Sequence, residues 1–164
     1  MPIVLHRIDE RLIHGQVVVA WGGTLHPDRI VVVDDDLARS DWEQELYCLG
    51  LPPEVAAEFR SVDEARSLLP RWGIGREKVF LLTRDAATMA ALARDGLLAG
   101  QEVNVGGIHH LPGRRQALPY VFLSDTEEAS LRQLAADGAE VSARDLPGTR
   151  PVALDQLLQD GTSH

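Results

Sequence analysis

Cysteine is almost absent. Cys48 is the only one in 164 residues, which excludes an internal disulfide and a multi-cysteine zinc site. It follows Leu46 and Tyr47 in a helix-like pattern, so a small buried hydrophobe is expected there. No apolar run approaches the ~20 residues of a membrane span. The start, Met1-Pro-Ile-Val-Leu-His-Arg7, is too short for a secretory h-region, so a cytoplasmic protein is expected. Positive charge is scarce: Lys and Arg total 16 against 25 Asp and Glu, a formal net charge of -9. That excludes non-specific nucleic-acid binding, which needs a basic surface, and leaves positive charge meaningful only where it is local. Repeats, low-complexity tracts and long linkers are missing, and no G-x-G-x-x-G phosphate fingerprint follows the first predicted strand.

What is there is a rhythm of strand and helix. Ile3–Ile8 and Arg29–Asp34 read as short buried parallel strands rich in β-branched residues. His14–Trp21 reads as a helix stopped at Gly22-Gly23. Ser40 before Asp41-Trp42-Glu43 starts a helix to about Leu49, ended by Gly50 and Pro52-Pro53. Val55–Phe59 is a weaker strand, and Ser61-Val-Asp-Glu64 is a capping box opening a helix to about Leu69. Lys78–Leu82 predicts a strand and Thr83–Leu92 a helix. Val103–Val105 leads into Gly106-Gly107. Tyr120–Leu123 is an apolar run before a helix capped by Ser124 or Asp125 and ended near Gly138. Glu140–Ala143 predicts a late strand, and Pro151–Leu158 a last short helix. Residues 1–164 therefore read as one α/β domain, a single open, mostly parallel sheet with helices on both faces. Ligands of such folds bind beyond the carboxyl ends of the strands. That rule gathers Asp9–His14, Asp34–Asp36, Thr83-Arg84 and Gly106–His110 on one rim.

The segment Arg7-Ile-Asp9-Glu-Arg11-Leu-Ile-His14-Gly15-Gln16 carries the chemistry. His14 follows the first strand by one loop and opens a helix whose first-turn N–H groups are unpaired and favour an anion. Arg7 and Arg11 can neutralise a dianionic phosphoryl group by bidentate contacts, and a neutral imidazole has a lone pair for in-line attack. Asp9 would repel phosphate, so it is expected to hold an arginine or the imidazole N–H. Taken alone, the same spacing also fits a surface cap with weak Arg–Asp and Arg–Glu pairs.

The segment, with Ala20-Trp21 after it, resembles the active-site stretch of the enzyme IIB component of the bacterial phosphotransferase system, mannose/fructose/sorbose class. The similarity continues in Ile30-Val-Val-Val-Asp34-Asp35-Asp36, Leu51-Pro52-Pro53, Asn104-Val-Gly106-Gly107-Ile, Ala135-Ala-Asp-Gly138-Ala-Glu140 and Pro151. It spans essentially the whole chain. The resemblance implies an open parallel sheet and makes His14 the phosphoacceptor, with Arg7, Arg11 and Asp9 around it. It implies a phosphoryl donor on a separate IIA component and a sugar acceptor held by IIC and IID membrane components, with this chain at the membrane periphery. It implies Nδ1 as the usual phosphorylated nitrogen, and no metal or cofactor. Gly15, Gln16, Thr83, Gly106 and Gly107 are the expected phosphate neighbours, Thr83 being open to an N-cap role instead. Two rival readings stand beside this one: a phosphorylated regulator uncoupled from transport, and a non-enzymatic anion-binding module.

Other residues attract blander readings. Asp34-Asp35-Asp36 fits a solvated strand end with a cap better than a magnesium site. His109-His110 is unusual after the glycine pair; metal binding needs more ligands, and a contact to partner or phosphate competes with a passive loop. Arg114-Arg115 suits a solvated loop or an acidic partner. His6 is expected as a satisfied core or edge residue. Trp21, Trp42 and Trp72 lie on separate helical segments and are expected in core or partial-core packing. The oligomeric state, including a homo-oligomer, is left open, as is the sugar.

Overall fold

A computed structural model describes residues 3–158. Nine strands form. They are β1 (Ile3–Ile8), β2 (Arg29–Val33), β3 (Ala56–Arg60), β4 (Val79–Thr83), β5 (Glu102–Val105), β6 (Arg115–Leu118), β7 (Val121–Leu123), β8 (Glu140–Ala143) and β9 (Val152–Ala153). Seven make one sheet in the order β3-β2-β4-β1-β5-β8-β9. All neighbours in it are parallel except β8 and β9. β6 and β7 form a separate antiparallel hairpin, joined to the sheet's rim by the Ile108–Val121 bridge.

Alternation along the strands assigns side chains to two cores. Val31, Val33, Leu81, Val103 and Val105 face one way. There they meet α3 (Val62–Ile74), α4 (Ala86–Ala93) and α5 (Asp125–Ala136) through Leu69, Met89 and Leu131. Ile30, Val32, Phe80 and Leu82 face the other way, against Leu12, Val17 and Trp21 of the segment after β1. The doubly covered sheet is the architecture expected from the sequence.

Local signals fixed several helix starts. Ser61 with Glu64 and Ser124 with Glu127 form reciprocal capping boxes. Other boundaries differ. The segment after His14 is π-helical over Gln16–Trp21 and continues as α1 (Gly22–Leu25), so Gly22-Gly23 does not stop it. The stop is His26, left-handed at φ 52, with Pro27 behind it. α3 runs past Leu69 to Ile74 with Pro70 inside. Asp85, not Thr83, caps α4, accepting from the Thr88 N–H at 2.8 Å. The Tyr120–Leu123 apolar run forms β7, whereas its partner β6, four residues with only Ala117 and Leu118 apolar, carries no strand signal. The last segment is a strand, β9, followed by α6 (Leu154–Leu157).

Two core expectations fail on α2 (Asp41–Cys48), which contains no buried residue. Cys48 is exposed, and Trp42 stands largely in solvent. Trp21 and Trp72 are buried as expected. The helix is tethered instead by partly buried Tyr47 and by Gln44, whose amide donates to the Leu37 carbonyl at 2.9 Å.

His6 is buried on β1, but its Nε2 has no hydrogen-bond partner. Burial pushes its pKa down to about 4, with a backbone hydrogen bond at Glu102 opposing. The unfolded chain therefore binds a proton between pH 6.5 and 4 that the folded chain refuses. Stability from this group is complete above pH 6.5 and falls as pH drops toward 4, by about 3 kcal/mol. Urea unfolding of wild type and His6→Leu should show this component of the acid loss only in wild type.

Candidate functional site

The carboxylate of Asp9, fully buried just beyond β1, organises the rim. Its Oδ2 accepts from Arg7 Nη2 at 3.1 Å, Arg11 Nη2 at 3.1 Å and the Gly107 N–H at 3.2 Å. Its Oδ1 accepts from the Arg11 backbone N–H at 3.0 Å and Arg11 Nε at 3.1 Å. Burial alone would raise the Asp9 pKa; the hydrogen bonds from Arg11 and the charge of Arg7 outweigh it and hold the group lowered and ionised.

The two arginines divide. Arg7 is fully buried and spends every donor. Nε and Nη2 go to Asp9, Nη1 to Asn104 and the Arg144 carbonyl, and Nη2 also to the Asp145 carbonyl. Its guanidinium lies 5.2 Å from the Trp21 ring centre. No edge of Arg7 is open to a phosphoryl group, so its expected direct contact gives way to a structural one. Arg11 is half-exposed. Its Nε and Nη2 hold Asp9, and Nη2 also donates to Gln16 Oε1 at 3.0 Å. Nη1 takes no part in these bonds.

The glycine pair exists for the arginines. A Cβ on Gly106 would sit 2.4 Å from the Arg7 guanidinium, and one on Gly107 2.8 Å from Arg11 Nη2. Their N–H groups are spent on the Ile8 carbonyl and on Asp9. Thr83 is fully buried, and its hydroxyl donates to the Asp85 carbonyl at 3.0 Å. Thr83, Gly106 and Gly107 thus build the floor instead of offering donors to phosphate. Arg84 pairs with Asp34 at 3.2 Å. Asp34 and Asp35 accept backbone N–H bonds from Leu37 and Val62, as a solvated strand end with caps should.

His14 is largely buried immediately before the π-helical segment, its carbonyl accepting from the Val18 N–H at 2.9 Å. Its Nδ1 lies 2.9 Å from the Leu12 carbonyl, which can only accept, so Nδ1 carries the proton and Nε2 the lone pair. Nε2 is buried without a hydrogen bond, 3.8 Å from Asp9 Oδ2. Leu12 is left-handed at φ 55, a costly conformation for a leucine. No sequence signal pointed to it, since residues of that type avoid the region. Burial lowers the His14 pKa, opposed by the Leu12 carbonyl and Asp9 and assisted by Arg11 and Arg7, so the ring is neutral at pH 7. Gly15 and Gln16 stand beside it at the surface, the Gly15 α-carbon open on its side-chain side.

A second layer holds this loop. Glu10 Oε2 accepts from Arg114 Nη1 at 3.0 Å, while Oε1 bonds the His109 N–H and its Nδ1. Arg114 also grips Glu127, the capping-box residue of α5. Arg115 pairs with Glu128 and the Leu157 carbonyl. The expected solvated Arg114-Arg115 loop is instead an ion-paired strap, and His109 is a strap contact. His110 rests edge-on against Phe122, ring centres 5.5 Å apart.

The rim thus sets a neutral histidine beside a buried arginine–carboxylate cluster at the carboxyl ends of the parallel strands of an α/β protein. The sequence profile of the family described as PTS system sorbose subfamily IIB component matches residues 3–164, and the chain belongs to that family of phosphotransferase-system components. It is 33% identical over 149 residues to the N-acetylgalactosamine-specific phosphotransferase enzyme IIB component 1 of Escherichia coli K12, covering 89% of this chain and 92% of that one. It is 31% identical over 144 residues to the E. coli K12 mannose-specific EIIAB component, covering 88% of this chain and 44% of that longer protein. The crystal structure of the IIBSor domain of the Klebsiella pneumoniae sorbose permease superposes with a TM-score of 0.84 at 28% identity, covering 96% of both chains.

The arginines are separable by experiment. Arg7→Met should cost about 3–5 kcal/mol in urea unfolding, because it leaves Asp9 charged and buried against fewer partners. Gly106→Ala should cost about 1–3 kcal/mol by overpacking against the Arg7 guanidinium.

Proposed function

We propose that His14 accepts a phosphoryl group from a phosphohistidine of a IIA component and passes it to a sugar hydroxyl presented by IIC and IID membrane components. The observation that carries this reading is a neutral, desolvated imidazole held beside Arg11, whose guanidinium is half-exposed. Membership of the IIB family supports it. The mannose-specific relative, named EIIAB and about twice the length of the matched region, supports a IIA partner.

In the first step the donor's P–N bond breaks as a P–N bond to His14 forms, and the His14 ring proton passes to the donor imidazole. In the second, that bond breaks, a P–O bond forms to the sugar, and the hydroxyl proton returns to His14. Position and charge compensation are what the protein must supply. Arg11 compensates charge, with Gln16 holding its outer edge and Gly15 leaving room. Asp9 and Arg7 orient Arg11 and the loop. Nδ1 is engaged with Leu12 and Nε2 is buried, so the ring turns to free a nitrogen before transfer. Nδ1 is the nitrogen the resemblance implies, and phosphorus–nitrogen NMR couplings identify it.

Incubation with phosphoenolpyruvate, the general phosphotransferase proteins and IIA should add one phosphoryl group to wild type by intact mass and none to His14→Ala. Absence of that gain in wild type overturns the reading. Arg11→Met should slow transfer by about a hundredfold, equivalent to about 3 kcal/mol of barrier, and lower urea stability by about 1–3 kcal/mol, less than Arg7→Met, because Asp9 loses two donors but keeps Arg7 and the Gly107 N–H. The neutral imidazole reacts, so the transfer rate should be flat near pH 7 and fall on acidification with a midpoint below the ordinary 6.5.

A further inference from the structure

Helix α2 presents an apolar stripe that no described residue covers. Trp42, Leu46 and Leu49 are spaced to share one helical face, and they are 70%, 58% and 81% exposed. Exposed apolar residues gathered in this way mark an interaction surface, whereas scattered ones do not.

The surrounding charge narrows the occupant. Between Ser40 and Phe59 the chain carries Asp41, Glu43, Glu45, Glu54 and Glu58 and no lysine or arginine; Glu58 is spent on Arg29 and Arg60, which leaves the other four. Asp41 and Glu45 are exposed on α2 itself, and the one arginine just before it, Arg39, is paired with Asp36. A second copy would bring acid against acid. A bare anionic lipid surface would be repelled. The rim fits a protein surface with an apolar centre and a basic border. Cytoplasmic loops of membrane proteins carry an excess of Lys and Arg. Of the partners in the proposed transfer, the membrane components therefore match this chemistry by rule. α2 begins beyond the carboxyl end of β2, the rim on which His14 lies, so Trp42, in its first turn, is the end of the stripe nearest that rim.

We infer that the Trp42–Leu46–Leu49 face of α2 is the surface by which this chain docks on the basic cytoplasmic loops of its IIC and IID components. The inference rests on the proposed transfer function. Apolar contact supplies the attachment, and the acidic border supplies orientation and on-rate.

The test separates the two half-reactions. Variants Trp42→Ser/Leu46→Ser and Glu45→Lys are compared with wild type, with circular dichroism and urea midpoints confirming the fold. Phosphorylation of His14 by IIA is followed by intact mass. Sugar phosphorylation is followed with inverted membrane vesicles carrying IIC and IID, titrating the phosphorylated protein. The expected result is an apparent KM for the vesicles raised about tenfold or more in each variant, with the IIA step changed less than about twofold. For Glu45→Lys the effect should shrink as salt screens the border. An unchanged KM in both variants overturns the inference. So does an equal loss in the IIA step, which would make the patch a donor surface. A wild-type dimer that the variants break, with KM unchanged, would make it a contact between copies. Failure of wild type to gain a phosphoryl group would instead strike the proposed function.

Discussion

The carboxylate of Asp9 is the constraint on which the rim depends. It is fully buried, so its charge must be met within the protein. Six hydrogen bonds do this, from Arg7, Arg11 and Gly107. Each fixes a neighbouring feature. Arg7 is drawn under the loop and stacked on Trp21, Arg11 is laid across Gly107 with one edge left over, and the β5 loop is tied to the β1 loop. The backbone between them turns left-handed at Leu12, whose carbonyl engages His14. Glycine at 106 and 107 follows from this packing, because the guanidinium groups occupy the space a Cβ would need.

Topology then places the cluster. β1 lies inside the sheet between β4 and β5, so the loop after it is flanked by the ends of both neighbours. Asp9 N–H bonds the Thr83 carbonyl and Glu10 N–H the Gly107 carbonyl. The His14 loop is therefore stitched to both adjacent strands before any side chain acts. Glu10, Arg114 and Glu127 extend the stitching to the capped start of α5, so the rigidity of the rim is shared with the core beneath it.

Much of this was readable from residues in line. The β-branched runs of β1, β2 and β4 and the Ser61 and Ser124 capping boxes act within a few positions and need no distant partner. They gave the sheet and two helix starts. His14 with Arg7, Asp9 and Arg11 was readable as a group because one short segment, the end of β1 and the loop after it, carries all four. The division of labour between Arg7 and Arg11 was not. Both are arginines flanking one aspartate, and only Asn104 and the carbonyls of Arg144 and Asp145, more than ninety positions away, saturate one and spare the other. Thr83 looked like a phosphate hydroxyl because its strand end faces the rim, yet its own turn consumed it. Trp42 and Cys48 looked like core because helical spacing shows that a face is apolar without showing that anything covers it.

Sequence alone determined the layer architecture and the rim, and it set His14 among Arg7, Asp9 and Arg11, because periodicity, caps and a contiguous charged segment are local and chemical. Tertiary structure decided which arginine is buried, why the glycines are glycines, that Arg114 is a strap, and that one helix face stays bare. Those outcomes depend on which distant backbone carbonyls and side chains compete for the same donors and the same space, and that competition is settled only when the strands are assembled in order.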